Sequence, residues 1–363
     1  MTPAMTAADA PRTRVAEDPL LTLLRGGATL PAAGDPSWND VANDCVASGL
    51  AGVALSLMAE SGRLECLTPR ARATLTAELN RVRVAQAILF HRFEALVGVM
   101  RRSGVEFIVH KGGALCALVY SRPEDRPMVD IDIIIRPADW QRFREAVLAE
   151  GYRLPEGSLE TFWLENYFNL SMRSPEDPAS HFDLHWSLTQ EGRYHIETAD
   201  LMARAAPYRL GGIDLLRLSD EDLLLSLFLH LAYHYFDARL IWLYDMKRVI
   251  ERFPMDWDLL LERAAGWGLM AVVSFNFEYL NKVFPGLVPA EVAKRARSGA
   301  MRRALALPFL SSATRHLFRA EESRINQFAI GLLAIDRPAD AARFAADKLS
   351  RSLRWLGRRP SRR

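Results

Sequence analysis

The sequence predicts an α/β fold of the α+β kind, in which a small mixed sheet is flanked by N-terminal and C-terminal helical regions. Three observations point there. Apolar residues recur at intervals of three and four from Trp38 to Ser103, short alternating β-branched runs follow at Val105–Val109 and Met128–Ile135, and the helical period returns after Ser219. The first and last of these mark amphipathic helices, and the second marks strands. Of the 363 residues, half are apolar and a quarter charged. That make-up supplies a buried core and excludes wholesale disorder and fibrous repeats.

Residues 1–36 mix Pro, Ala, Thr and both charges with Gly26-Gly27 and the turn signal Gly34-Asp35-Pro36, which reads as a loose leader with one short helix. The stretch 37–103 reads as a helical region. Val41, Cys45, Leu50, Val53 and Leu57 form one apolar stripe, and Leu79, Val82, Leu89, Phe93, Leu96 and Met100 another. Thr68-Pro69 predicts the start of the second long helix, with Thr as N-cap and Pro in the first turn. At Gly104 the period changes, and 104–218 reads as a compact core. Val105–Val109 is its first strand, Gly112-Gly113 a tight turn into a helix over Ala114–Tyr120, and Met128–Ile135 the second strand. Pro137 opens a helix that ends at Gly151. Tyr167–Met172 and His181–Ser187 form a hairpin around the turn-rich 174–178, and Gly211-Gly212 joins a second hairpin between Tyr208–Leu210 and Ile213–Leu218. Ser219 and Asp222 look like a capping box with Asp in place of Glu. They open a C-terminal helical domain over 219–345, with helices near 222–236, 240–253, 256–268, 270–283 and 289–310. Residues 346–363 form a basic tail.

Basic and acidic residues number 46 and 44, a net charge of +2. Seven of the basic ones fall in Lys348–Arg363, which holds no acid, leaving 39 against 44 elsewhere. A mildly acidic body with a short basic, solvated end is not built around a nucleic-acid groove. The three cysteines, Cys45, Cys66 and Cys116, are too few for a disulfide framework or a cysteine-based zinc site and suit the reducing cytoplasm. Asp9, Arg12 and Arg14 precede any apolar run, unlike a signal peptide. The most apolar stretch, Leu223–Ala232, is about half of the roughly 20 residues that a spanning helix needs, so no transmembrane segment is expected.

The chemistry concentrates in the core. Side chains two apart on a strand point the same way at roughly 6–7 Å spacing, so Asp130 and Asp132 place two carboxylates on one face, and Asp183 lies on a later strand. Adjacent carboxylates repel unless a cation neutralises them, and oxygen-only ligands favour Mg²⁺ or Mn²⁺. Gly112-Gly113 before a helix offers backbone N–H groups to an anion, and a Cβ there would hold phosphates off the backbone. The run Phe107-Ile-Val-His-Lys111-Gly112-Gly113, then Tyr120, Arg126 and Asp130-Ile-Asp132, then Asp183-Leu-His185-Trp186, resembles the polymerase-beta-like nucleotidyltransferase superfamily. Within it the run is similar to a bacterial family of uncharacterised nucleotidyltransferases. Ser219–Leu224, His230, His234 and Leu240–Asp245 continue the likeness, which covers roughly residues 40–285.

The resemblance implies a metal-dependent transfer of a nucleoside monophosphate from an NTP, ATP foremost, to an unidentified acceptor, with release of pyrophosphate. It implies Asp130 and Asp132 as paired ligands of Mg²⁺ or Mn²⁺, Asp183 as the third carboxylate, and Gly112 and Gly113 as a cradle for the β- and γ-phosphates. Where many members of the superfamily have Gly-Ser, this chain has Gly-Gly. Lys111 reads either as a phosphate contact or as a strand-end lysine reaching solvent. Arg126 reads as a stabiliser of pyrophosphate charge or as the partner of Glu124 or Asp125. His181 and His185 share the face of Asp183 and could flank the metal, meet the acceptor, or be structural. His230 and His234 stand at i and i+4 on a helix, with Asp237 beyond. They read as metal-chelating or, better, as polar residues where the helical domain closes on the core. Asp245 bonds a neighbour or reaches the acceptor pocket. Phe162-Trp163 and Tyr167-Phe168 could stack a base but suit core packing. Two rival readings remain: a catalytically inactive nucleotidyltransferase-fold protein that binds a peptide, protein or nucleotide, and a metal hydrolase built on His181, Asp183 and His185 or on His230 and His234.

Overall fold

The computed structural model describes residues 18–27, 29–177, 180–190, 192–236, 238–306 and 324–357. Four helices come first: α1 (Pro19–Leu24), α2 (Trp38–Ala47), α3 (Ala51–Glu60) and α4 (Pro69–Ser103). The middle of the chain runs β1 (Phe107–His110), α5 (Gly112–Leu118), β2 (Asp130–Ile135), α6 (Trp140–Ala149), α7 (Ser158–Asn166), β3 (Asn169–Arg173), β4 (His181–His185), α8 (Thr198–Ala203), β5 (Ala206–Leu210) and β6 (Ile213–Arg217). Helices follow: α9 (Asp220–Tyr233), α10 (Leu240–Arg252), α11 (Trp257–Trp267), α12 (Met270–Val283), α13 (Ala290–Arg295), then Arg324–Leu333 and Pro338–Gly357. No helix of the described residues is long and apolar enough to cross a membrane.

The strands form one mixed sheet in the order β3-β4-β2-β1-β6-β5. β1 runs antiparallel to β2, with His110 opposite Asp132. β2 runs parallel to β4, with Asp132 opposite Asp183 and Ile134 opposite His185. Because side chains alternate, each strand feeds two cores. Val109, Ile131, Ile133, Ile135, Phe182 and Leu184 pack with α6 and the second half of α4. Ile108 and Ile134 face the other way, into a core shared with the N-terminal and C-terminal helices. α4 joins the two cores. Its 35 residues span about 52 Å at 1.5 Å per residue, with Ala71 and Leu75 in one core and Leu89, Phe93, Leu96 and Met100 in the other.

The local signals act as their chemistry requires. Thr68 Oγ1 accepts from the Ala71 N–H at 3.0 Å and Pro69 opens the turn, while Gly104 closes α4 with φ 68°, a conformation that favours glycine. Gly211 and Gly212, both at positive φ, make the tight turn between β5 and β6. The one short helix expected in the leader is α1. α1 is capped by Asp18, which accepts from the Leu20 and Leu21 N–H groups, and Leu20, Leu21, Leu23 and Leu24 are buried; residues 1–17 lie outside the described residues.

Other differences have local causes. The expected long helix over 289–310 stops at Arg295, because the Ser298 N–H turns aside to Ser274 Oγ at 3.0 Å; the chain is helical again from 300, and 307–310 lie outside the described residues. Instead of reaching back as a capping box, the buried Asp222 carboxylate accepts from Arg204 Nε and Arg263 Nη1. α7 and α8 were not expected. α7 carries Phe162 and Trp163 and ends just before Tyr167 and Phe168, with Trp163 and Tyr167 packed on each other at 4.3 Å between centroids.

α3 presses on the loop that leads to β2. A Cβ at Gly52 would come within 2.7 Å of Asp125 Cα and 3.2 Å of the Glu124 carbonyl oxygen, and backbone cannot yield as a flexible side chain can. Gly52→Ala is expected to destabilise the protein by about 1–3 kcal/mol, read as a lower Tm by calorimetry; an unchanged Tm would show that this contact does not hold the loop.

Candidate active site

β1 ends beside the beginning of β2 and the middle of β4, so a single face of the sheet collects His110, Asp132, Asp183 and His185. This end opens into a cavity of about 1260 Å³ that these four residues line together with Lys111, Gly112, Arg126, Asp130, His230 and His234. The turn out of β1 is strained. Lys111 has φ 47° and ψ −129°, a region that a side chain rarely adopts and that costs on the order of 1–3 kcal/mol. What it achieves is visible in the contact: Lys111 Nζ lies 2.7 Å from Asp132 Oδ1. His185 Nε2 meets the same oxygen at 2.8 Å.

Asp132, Asp183 and His185 bring their ligand-type atoms within 4.8 Å of one another. Asp130 stands one step along the strand, opposite His181, and senses the cluster electrostatically. Burial, and then the charges of Asp132 and Asp183, push its carboxyl up to about 6 against the pull of Lys111 and Arg126. Asp132 goes the other way. Burial opposes its charge, yet Lys111, the His185 hydrogen bond and His110 together outweigh burial and hold it well below the usual carboxylate range. Burial and Lys111 lower both His110 and His185, so the two rings are neutral partners of an ionised acid. The donor set fits a divalent cation. Carboxylate oxygens on adjacent strands suit Mg²⁺ or Mn²⁺, and such an ion would offset both the burial and the neighbouring acids that raise Asp130.

The remaining expected residues divide. Arg126 pairs with neither Glu124 nor Asp125, which are taken by Arg83 and by Arg122. It makes a double contact with the buried Asp245, Nη2 at 2.8 Å and Nε at 3.0 Å, and Tyr120 OH donates to the same carboxylate at 2.6 Å. Asp245 thus lies behind Arg126 and is not among the cavity-lining residues. Gly112 lines the cavity, whereas Gly113 is pressed on the sheet, where a Cβ would meet Val109 Cγ1 at 2.9 Å and Ile131 Cγ2 at 3.0 Å. Close packing of α5 on β1 and β2 leaves no room for a side chain at 113. His181 is half-buried at its strand's start and does not belong to the tight Asp132–Asp183–His185 group.

His230 and His234 do face the cavity, from the end of α9. Their rings pack on each other at 4.7 Å and on Trp242 at 4.6 and 4.8 Å. Among the described residues they share no metal-ligand group with a third donor, and Asp237 lies outside the described residues. Burial, then Lys111, lowers His230 well below its ordinary range, and burial, Lys111 and Arg239 lower His234 to about 4. Sequence reasoning singled out Phe168 but missed His110 and the Tyr233 and Trp242 that line the cavity with it. The alternation of β1 could have placed His110 on the face of Asp132, but the aromatic wall joins β3 to α9 and α10 across distant parts of the chain.

Two expectations follow. Gly113→Ala should lower stability by about 1–3 kcal/mol, while Gly112→Ala, whose nearest contact would be 3.5 Å, should leave Tm nearly unchanged; equal Tm values for the two variants would contradict this packing. The His234 imidazole should titrate by NMR near 4. Its ordinary value is 6.5, so between the two the unfolded chain holds a proton that the folded protein refuses. This group therefore contributes stability above that window and loses it as pH falls through it. A midpoint near 6.5 would show that the ring is not screened from solvent.

Residues 34–285 match the model of a family described as uncharacterised nucleotidyltransferase. That span includes the whole sheet and every cavity residue named above, and the chain belongs to this family. No curated protein matches the sequence. Among solved structures, the solution structure of the antibiotic-resistance factor ANT(2'')-Ia is similar over 63% of this chain and 98% of that chain, at 13% identity and a TM-score of 0.30.

Proposed function

We propose that, as a member of this family, the chain transfers a nucleoside monophosphate from an NTP, ATP foremost, to an acceptor nucleophile in the cytoplasm. The acceptor attacks the α-phosphorus, the bond from that phosphorus to the β-phosphate bridge breaks, and pyrophosphate leaves. The observation that carries this reading is the register of β2 on β4, which sets Asp132 beside Asp183 with Asp130 one step away, at the mouth of a cavity also lined by Lys111 and Gly112.

Asp132 and Asp183, with Asp130 adjoining, would hold Mg²⁺ or Mn²⁺, which supplies Lewis acidity at the α-phosphate and neutralises the leaving group. The chain's own residues account for the rest. Asp132 stays ionised because Lys111 and His185 hold it so. Gly112 leaves the backbone open to the triphosphate, and Lys111 offers a flexible point charge. Asp183 is placed to receive the proton that the acceptor loses. Arg126, fastened by Asp245 whose carboxylate also accepts from Tyr120, lines the cavity as half of a buried ion pair. His230, His234 and Trp242 stand on the side of the cavity formed by the C-terminal helices. Neutral imidazoles beside an indole suit an acceptor that combines a planar or apolar surface with hydroxyl or amine groups.

Asp130→Asn removes one carboxylate from the surface of the site. Transfer of label from α-³²P-NTP, or pyrophosphate release, should fall by at least about a hundredfold because several kcal/mol of charge stabilisation go with it, while Tm stays within a few degrees of the wild type. Undiminished turnover in both Asp130→Asn and Asp132→Asn would sink the assignment.

A further inference from the structure

Lys111 is more than a neighbour of Asp132. Its ammonium lies 2.7 Å from Oδ1, with the side chain 20% exposed, and the backbone takes a strained φ of 47° to deliver it. His185 Nε2 reaches the same oxygen. The buried His185 Nδ1 has no hydrogen-bond partner among the described residues, which places the ring proton on Nε2 and makes His185 the donor. Oδ1 is therefore occupied twice. Among the described residues both hydrogen bonds to the Asp132 carboxylate end at Oδ1, and Asp183 stands opposite in register.

We propose that Lys111 is the resident counter-ion of this site and competes with a divalent cation for Asp132. The inference rests on the function proposed above only in what relieves the competition. An ammonium and a divalent cation on one carboxylate repel strongly where water is scarce, so the cation by itself binds weakly. An incoming triphosphate offers negative charge that can take over the ammonium. Lysine suits the part because its point charge rides on a flexible four-carbon stem and can move while the backbone stays. On this account the cation enters productively with the nucleotide, and Asp132 is never left without a positive partner.

The test is a Mn²⁺ titration of the full-length protein, followed by the EPR signal of free Mn²⁺, for the wild type and Lys111→Met, with and without a non-hydrolysable NTP analogue. Without nucleotide, Lys111→Met should bind Mn²⁺ at least ten times more tightly than the wild type, and Asp132→Asn added to it should abolish the gain. Equal or weaker binding by Lys111→Met overturns the proposal. If that variant does not fold, lysine-selective isotope labelling of the wild type serves instead, since the chain has five lysines. The Lys111 side-chain resonance should stay in place with Mg²⁺ alone and shift when the analogue is added; a full shift with Mg²⁺ alone overturns the proposal equally. A gain in Mn²⁺ affinity with no effect of any NTP analogue would uphold the counter-ion and count against the transferase reading, so the two fail separately.

Discussion

A carboxylate kept ionised inside the open end of a β-sheet is the constraint around which this molecule is arranged. Asp132 is 6% exposed, and an acid so buried loses its charge unless positive and hydrogen-bonding partners are held against it. Three strands must agree for that to happen. β1 delivers His110 and, through a strained turn, Lys111; β2 carries Asp132 itself; β4 brings Asp183 and His185 alongside in parallel register. A slip of one residue in either pairing would send each of these side chains to the opposite face. The isoleucines at 131, 133 and 135, packed into the core on that opposite face, are what forbid the slip. The apolar residues of β2 and its acids are thus two halves of one register.

The helices serve this arrangement from both sides. α4 runs through both cores and offers Gln86 to the Arg126 carbonyl oxygen at 2.6 Å, while α3 bears on the loop just before it at Gly52. From the C-terminal half, α10 brings Asp245 to Arg126 and Tyr120. That buried contact fastens the helical region to the core at the cavity wall. Ion pairs of this kind stabilise weakly when weighed against apolar packing, but removing one partner leaves a buried charge alone at a cost of about 3–5 kcal/mol. Their contribution is to geometry: the loop between α5 and β2 has one place to be.

Within the site the acids are unequal, and the inequality is chemically useful. Asp132 has its charge secured by Lys111 and His185, whereas Asp130 is raised to about 6 by burial and by its acidic neighbours. One carboxylate keeps its charge, and the other is held closer to neutrality. On the far side of the cavity the histidines of α9 are kept neutral by burial and by the same lysine. Burial comes first in this, and Lys111 adds to it, so one lysine bears on both walls.

Much of this was legible from local signals, because those depend on neighbours in the chain. The strand alternation at 128–135, the Thr68-Pro69 start of α4, the glycine turn at 211–212 and the two hairpins each follow from dihedral preference and period. So did the candidacy of Asp130, Asp132 and Asp183, through spacing and through family resemblance. The long helix expected beyond 289 failed because a side chain from α12, Ser274, captures the Ser298 N–H, and no window around Ser298 contains it. The close packing that leaves no room for a Cβ at Gly113 was not legible in the sequence, since only the folded sheet brings Val109 and Ile131 beneath it. Arg126 had acids next to it in the chain and chose Asp245, 119 residues away. The sequence by itself determined the strands, most of the helices and which acids share a strand face, because period and turn chemistry are local. Tertiary structure alone decided which charge answers which, because ion pairing and burial depend on distance in space and not on separation along the chain.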